Sequence, residues 1–553
     1  MSERIENNNG SAITKQKVGV MGVVFMIYAM ACSGAYGIED MIPAAGPGMT
    51  VLMLCVIPFL WAVPNALVSA ELGSAIPEEG GNYVWVKRAF GEFWCFQSAF
   101  GRILSNYIGV PAYPVLAGNY VGTMLGWNDT SIYLFKLLLI GIFCFLNFRG
   151  VQEVAKVGTI LGFLIVAAFA SVIIIGFANA QYNPIDPFVP PGQPMLYSAG
   201  TALAIGIWMY TGYESMGSMA GELENPQVIP KALIIVVPLI LLTYIPTTLA
   251  GLAAVGNWES WGTHGLSYGD VASLAGKGWG VFFVSAAFCG MLSIYNSWLS
   301  VGPRYFLVLA KDNMAPKFMT KTNKQGVPIG GWLLMVICCV LFALLPFSAL
   351  ATLTVTAILF CTSIMMVGAL KLRFSEPDLP RPFKVRLNNF WFGAMCMLVP
   401  ITAVIALYLN GTDYFIFGLA ILMLGPVLYF FIRRRLGGLT KQDPKANPQN
   451  PVTRMPFGDL KRMATLFFML AAVAFVGYFF LPWYEGSWGP EYYAEAYGRP
   501  GVFGLFIKGI LWAGIVNAVL GVICRILAGK YDRKDMQPSD VQGGDVGDEC
   551  SHS

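Results

Sequence analysis

Charge is scarce in this chain. Only 12% of its 553 residues are Asp, Glu, Lys or Arg, about half the ~25% usual for soluble domains. A soluble enzyme or nucleic-acid binder of this length could not cover its surface with so few charges. Histidine is nearly missing: His264 and His552 are the two present, and neither lies in an apolar run. That excludes a histidine-built metal centre and leaves no imidazole base for membrane chemistry. The eleven cysteines include no Cys-x-x-Cys pair. They read as small buried residues, not as a disulfide frame or metal site. No cofactor, metal or nucleic-acid partner is expected.

What is abundant is apolar sequence. Apolar residues make up 56% of the chain and the mean hydropathy is +0.62. A membrane-spanning helix needs roughly 20 mostly apolar residues. Fourteen such runs occur, from 18–43 to 502–527, and twelve is the alternative count if the last pair is peripheral. The polar tails 1–17 and 528–553 offer little apolar surface to bury and read as disordered. The first run lies behind a polar tail and is followed by many others, so it is a spanning helix and not a cleavable leader.

Basic residues cluster in alternate connections, as the positive-inside rule requires. Lys87 and Arg88, Arg149 and Lys156, Lys231, Lys311 to Lys324, Lys371 to Arg386 and Arg433 to Arg462 fall on one side, and from Val157 to Pro230 there is no Lys or Arg. An even number of spans with both termini cytoplasmic follows. The expected location is the plasma (cytoplasmic) membrane.

Two spans carry glycine interruptions beside acids. Span 1 contains Ser33-Gly34-Ala35-Tyr36-Gly37-Ile38-Glu39-Asp40-Met41, and span 6 contains Trp208-Met209-Tyr210-Thr211-Gly212-Tyr213-Glu214-Ser215-Met216. Gly37–Gly46 and Gly212–Gly221 align without gaps as G-x-E-x-M-x-x-x-A-G. Spans five apart run in opposite directions, which is the requirement for an inverted repeat of five helices. The expected fold is therefore an all-α polytopic membrane protein with an inverted five-plus-five, LeuT-like arrangement and about fourteen transmembrane helices. Its expected divisions are a core at 18–435 with repeats at 18–177 and 197–372, a loop at 436–462 and two additional spans within 463–527. Broken helices expose unpaired backbone N–H and C=O groups, tolerable in a membrane only around a protein-lined cavity. Half-helix N-termini favour carboxylates and C-termini favour cations, so such a site suits an amino acid or an amine. Intramembrane carboxylates are functional candidates by default. Glu39, Asp40 and Glu214 are the candidates for substrate contact or proton handling.

Three stretches make the chain similar to a known family: Ala70-Glu71-Leu72-Gly73-Ser74-Ala75-Ile76-Pro77-Glu78-Glu79-Gly80-Gly81-Asn82-Tyr83-Val84-Trp85; Ala220-Gly221-Glu222-Leu223-Glu224-Asn225-Pro226; and the run from Trp298 through Arg304 and Asp312 to Pro316, then Gly326-Val327-Pro328. They resemble the amino acid–polyamine–organocation superfamily of secondary transporters, over roughly residues 15–435. The resemblance implies two inverted five-helix repeats plus two further helices. In the arginine–agmatine and putrescine–ornithine exchangers, a Trp lies six residues before a Gly-x-Glu-Ser glutamate. Here that pattern falls on Trp208 and Gly212-Tyr213-Glu214-Ser215, implying that Trp208 stacks on a cationic group and that Glu214 meets an amine. Their second aromatic wall falls on Trp298. Gly37-Ile38-Glu39-Asp40 is similar to the eukaryotic-type polyamine uptake branch, whereas Gly302-Pro303-Arg304 is similar to the glutamate–GABA exchangers. The lysine that some proton-coupled relatives carry midway along span 5 is absent here.

The expected substrate-binding set is Ser33, Gly34, Ala35, Tyr36, Gly37, Glu39, Trp208, Tyr210, Gly212, Glu214, Trp298 and Asn106, with Tyr113 as a further lining candidate and Arg102 as an inner-surface or acid-paired residue. Secondary active transport of amino acids or cationic amines is the leading expectation, by exchange or proton coupling. A glutamate–GABA-type or neutral amino acid antiporter and a non-transporting membrane sensor are the alternatives. Expected partners are a small-molecule substrate, the lipid bilayer, protons and, for assembly, a second copy of the chain.

Overall fold

In hydrocarbon a chain can satisfy its backbone within one segment only by coiling into a helix. The computed structural model describes residues 19–32, 35–78, 80–149, 154–212, 228–262 and 265–531. It is built from helices, with three isolated β-bridges among the described residues. Span 1 is two helices, α1 (Val20–Ala31) and α2 (Ile38–Ala45). Span 2 runs from α3 (Pro47–Ile57) through a π-helical turn, Pro58–Ala62, into α4 (Val63–Ala75). A short helix, α5 (Asn82–Phe90), precedes α6 (Glu92–Gly109) and α7 (Ala112–Leu125), which together form span 3. Next come α8 (Asp129–Phe148), α9 (Val154–Ala178) and α10 (Met195–Met209), the last being the first half of span 6. After α11 (Val228–Ala254) and the short α12 (Tyr268–Ser273) lie α13 (Lys277–Lys311), α14 (Ile329–Phe342), α15 (Phe347–Ser375) and α16 (Asn389–Leu409). The chain continues through α17 (Thr412–Leu436), α18 (Asp459–Glu485), α19 (Gly489–Ala496) and α20 (Val502–Tyr531).

Among the described residues, nine helices are long and apolar enough to cross a membrane, and shorter apolar helices lie at Gly162–Ala178, Met195–Met209 and Ile329–Phe342. One face of these helices is apolar and uncovered. On α8 it is Leu134, Leu138, Ile142 and Phe145, all exposed. Their spacing of three and four residues makes a single stripe. On α20 the stripe is Trp512, Val516, Val519, Ile523 and Ile526. Apolar stripes of this length are an aggregation liability in water and the normal surface of a helix in lipid. The protein is an all-α polytopic membrane protein.

The chain divides into two compact units: Met1–Leu307 with Lys321–Asn410, and Val308–Thr320 with Gly411–Ser553. In the first, α1 lies against α9 and α11, and α10 packs on α2, α3 and α15. A buried ion network closes one end of this unit. Glu71 on α4 accepts from Arg373 Nε at 2.9 Å and from the Val385 backbone N–H at 2.8 Å, and Arg381 Nε lies 3.4 Å away. The Arg373 guanidinium also sits 3.5 Å from the centre of the Phe392 ring. α15 and the loop after it thus converge on one carboxylate of α4 that is 2% exposed.

In the second unit α18 and α20 pack together and both touch α17. Glu485, fully buried, accepts from Thr412 N at 3.1 Å and Thr412 Oγ1 at 2.5 Å. A carboxylate there satisfies an orphan donor of α17 and complements its dipole. At the far end of α17, the fully buried Arg433 donates to Thr440 Oγ1 and to Gln449 Oε1 at 3.1 Å.

Breaking a buried pair strands the surviving charge and costs about 3–5 kcal/mol. Glu71→Gln is therefore expected to lower the thermal unfolding midpoint of the detergent-solubilised protein by several degrees, more than Arg88→Gln, whose pair with Glu376 is part-exposed. Equal midpoints for the two variants would show that the buried network contributes nothing special.

Candidate functional site

Span 1 breaks where its sequence stops forming a helix. The last turn of α1 closes with Cys32 N bonded to Tyr28 O at 2.9 Å. Ser33 and Gly34 lie outside the described residues. The chain then turns through Ala35, Tyr36 and Gly37, with Ile38 N returning to Ala35 O at 3.2 Å. Gly37 has φ +93°, a conformation that L side chains rarely adopt. A Cβ at this position would sit 2.6 Å from Cζ of Phe347, at the start of α15. Geometry and space both require glycine. Ala35 and Tyr36 are buried, and the Tyr36 hydroxyl has no hydrogen-bond partner among the described residues.

α10 leaves helical geometry at Tyr210, and span 2 holds this end. After Met209 the backbone leaves helical geometry, and Gly212 has φ +111°. The Tyr244 hydroxyl donates to Met209 O at 3.0 Å, and the Trp61 indole donates to Tyr210 O at 2.9 Å. Trp61 reaches that carbonyl from the π-helical turn that begins at Pro58. Pro58 has no N–H to return to Leu54 O, and the Tyr210 hydroxyl donates to that carbonyl at 2.9 Å. Two irregular backbones thus exchange side-chain donors. Tyr210 is engaged in this lock, with its ring 5.1 Å from that of Tyr244. Residues 213–227, including Glu214, lie outside the described residues.

Beside the two breaks stands an aromatic group. The Trp208 ring is 5.6 Å from Tyr113 and 5.0 Å, edge-on, from Phe347. The Tyr113 hydroxyl approaches the Trp298 indole, whose Nε1 has no partner of hydrogen-bond geometry among the described residues. Trp208 and Trp298 are each 8% exposed. Phe347 therefore joins the Gly37 break to Trp208, and Tyr113 joins Trp208 to Trp298. Asn106 lies on α6, where its Oδ1 meets Gly302 of α13 and is otherwise unpartnered among the described residues. Arg102 is 4% exposed inside α6, so it does not reach a surface.

The two acids of α2 divide as their 100° separation on a helix predicts. Glu39 is 3% exposed. It accepts from the Gly37 N–H at 3.3 Å, from the Tyr268 N–H at 3.2 Å and from the Tyr120 hydroxyl. It therefore ties the span 1 break to α7 and α12. Asp40 is half-buried and abuts Gly262. Both acids line a cavity of about 330 Å³, together with Asn119, Tyr120, Asp270 and Lys277. No group of three metal-ligating side chains occurs among the described residues.

Sequence reasoning missed Phe347, Trp61, Tyr244, Tyr120 and Tyr268. Two of them had a local signal. Trp61 follows Pro58 by three residues inside an apolar run, and Phe347 follows Pro346 at the entry to a span. The others act across the fold and carried none.

Trp61→Phe keeps the ring but leaves the Tyr210 carbonyl without its donor, a loss of about 1–3 kcal/mol. Amide exchange around residues 205–212 is expected to accelerate in this variant, with exchange in α18 and α20 unchanged. Uniform exchange in both places would remove the lock. Gly37→Ala is expected to destabilise through φ and through Phe347. Adding Phe347→Leu should recover only the steric part, so full recovery in the double variant would refute the backbone argument.

Residues 19–428 match the amino acid permease family. A probable polyamine transporter of Arabidopsis thaliana is 30% identical over 403 residues, 70% of this chain and 78% of that protein. A polyamine transporter of Oryza sativa subsp. japonica is 30% identical over 71% of this chain and 73% of its own length. A branched-chain amino acid permease of Lactococcus lactis is 25% identical over 61% of this chain and 77% of its own. With most of its length inside the family match, the chain belongs to the amino acid permease family of the amino acid–polyamine–organocation superfamily, and is a membrane transporter and not an enzyme.

Proposed function

We propose that this permease carries cationic amines, polyamines among them, or basic amino acids across the membrane by alternating access. The observation that carries the reading is the aromatic group Trp208, Tyr113, Phe347 and Trp298 placed against the Gly37 break. A cation over the face of one of these rings gains roughly 0.5–2 kcal/mol when desolvated. Broken backbone beside it offers carbonyls to an ammonium and N–H groups to a carboxylate. The polyamine transporters among its relatives support the amine preference. Ser33 to Gly37 would cradle the substrate, Glu214 would meet its amine, and Glu39, Asp40 or Glu214 would take part in any proton coupling. Both termini lie in the cytoplasm on this reading, so α2, α7 and α12 end towards the outside of the cell membrane.

A second reading is favoured by the branched-chain amino acid permeases among the relatives. In it the aromatic group closes over a neutral side chain, and Glu214 serves proton coupling or structure.

Counterflow in proteoliposomes separates the two. The panel holds arginine, lysine, ornithine, putrescine, spermidine, agmatine, glutamate, GABA and neutral amino acids at two pH values. Saturable exchange of amines or basic amino acids is expected, with Glu214→Gln and Trp208→Leu each lowering it about tenfold or more, the equivalent of one charge-assisted contact. Exchange of neutral amino acids alone overturns the amine reading. Unchanged kinetics in Glu214→Gln removes that residue from the mechanism.

A further inference from the structure

The cavity beside Glu39 is lined by Gly37 of the span 1 turn but by none of the four rings of the aromatic group. At about 330 Å³ it stands at the lower end of the roughly 300–1,000 Å³ usual for small-molecule sites. Three carboxyl groups line it, Glu39, Asp40 and Asp270, against one ammonium, Lys277. Asp270 and Lys277 are exposed at the mouth, Asp40 is half-buried and Glu39 is at the buried end. An acidic lining alone would be an ordinary solvated surface. What marks this one is Asn119, which is 6% exposed, lines the cavity and keeps an Oδ1 with no hydrogen-bond partner among the described residues. A buried amide oxygen left unpaired costs about 1–3 kcal/mol, and a ligand N–H removes that cost.

The excess of acid, the unpaired acceptor and the cavity volume select a cation with several N–H donors. A compact metal ion would need a dense oxygen cage, and no such group is present among the described residues. An alkyl diammonium ion fits better: one ammonium meets Asn119 and the carboxylates of Glu39 and Asp40, its methylene stem lies along Leu116 and Val284, and the second ammonium rests near Asp270. We propose that this cavity is a separate docking subsite for an aliphatic diamine, which collects the dication at the mouth before it reaches the aromatic group. The identity of the dication as cargo rests on the function proposed above, whereas the subsite itself does not.

Its position explains how occupancy would reach the break. Glu39 lines the cavity and also receives the Gly37 N–H and the Tyr268 N–H. A cation at Glu39 therefore touches the hinge of span 1 through one carboxylate.

The test is equilibrium binding of radiolabelled putrescine to the full chain in lipid nanodiscs at low ionic strength. The variants are Trp208→Leu, Asp40→Asn with Asp270→Asn, and Asn119→Leu. Binding should persist in Trp208→Leu, and adding the double Asn change should weaken it at least about tenfold, the loss of one to two charge-assisted contacts. Asn119→Leu, which alters no charge, should also weaken it, and propylamine should compete less well than the diamine. Binding that vanishes with Trp208→Leu alone, or that the cavity variants leave unchanged, overturns the subsite. Asp270→Asn alone retains an oxygen for the Ser267 cap and decides the matter if the double variant does not fold. Cavity binding without amine counterflow sinks the transport reading and leaves the subsite. Amine counterflow with unaltered binding in the cavity variants does the reverse.

Discussion

The constraint on which this structure depends is that no backbone polar group can be left unpaired in hydrocarbon. Most of the chain meets it by unbroken helix. Among the described residues it departs from this, among other places, at the Ala35–Gly37 turn, at the end of α10 at Met209 and Tyr210, and at the π-helical turn at Pro58. The last two stabilise each other. Trp61, displaced by the π turn, supplies the donor for Tyr210 O, and Tyr210 supplies the donor for Leu54 O. Spans 2 and 6 are therefore coupled by the same hydrogen bonds that make the break in span 6 tolerable. Weakening one exposes the other, which is a reason to regard the pair as a single element.

Glu39 does for span 1 what Trp61 does for span 6, with a carboxylate in place of an indole. Its oxygens collect donors from Gly37 in the turn and from α7 and α12. An acid placed at the start of a half-helix also lies where the helix dipole favours negative charge. The same group borders the cavity. Packing of the break and access of a cation thus share one side chain, so the structural and functional roles of Glu39 are not separable by a single substitution. That is why the cavity is better probed through Asp40, Asp270 and Asn119.

The second unit follows the same rule without a break in its helices. Glu485 caps α17 and Arg433 satisfies the loop beyond it. These buried polar groups fix the register of α17 against α18 and their connecting segments. The unit includes α17, which the family match also spans in part, to residue 428, so the additional helices α18 and α20 are built onto a family helix within one compact body.

The sequence by itself determined the solvent and the secondary structure. Low charge and long apolar runs demand a helical bundle in lipid. Glycine beside acid marked where span 1 leaves helical geometry, because glycine tolerates the φ of +93° found at Gly37. Trp208 and Trp298 entered as site candidates through the resemblance to the arginine–agmatine and putrescine–ornithine exchangers, not through a local pattern. What only the tertiary structure decided were the relations between distant residues. Trp61 and Tyr210 are 149 positions apart, and Glu39 and Tyr268 are 229 apart. No periodicity encodes such pairs, since each is fixed by which helix faces lie together in the bundle. The same holds for Phe347 over Gly37 and for the cavity, whose walls come from α2, α7, α12 and α13. Local sequence can show that a backbone will break, but the donors that hold the break come from helices that only folding brings beside it.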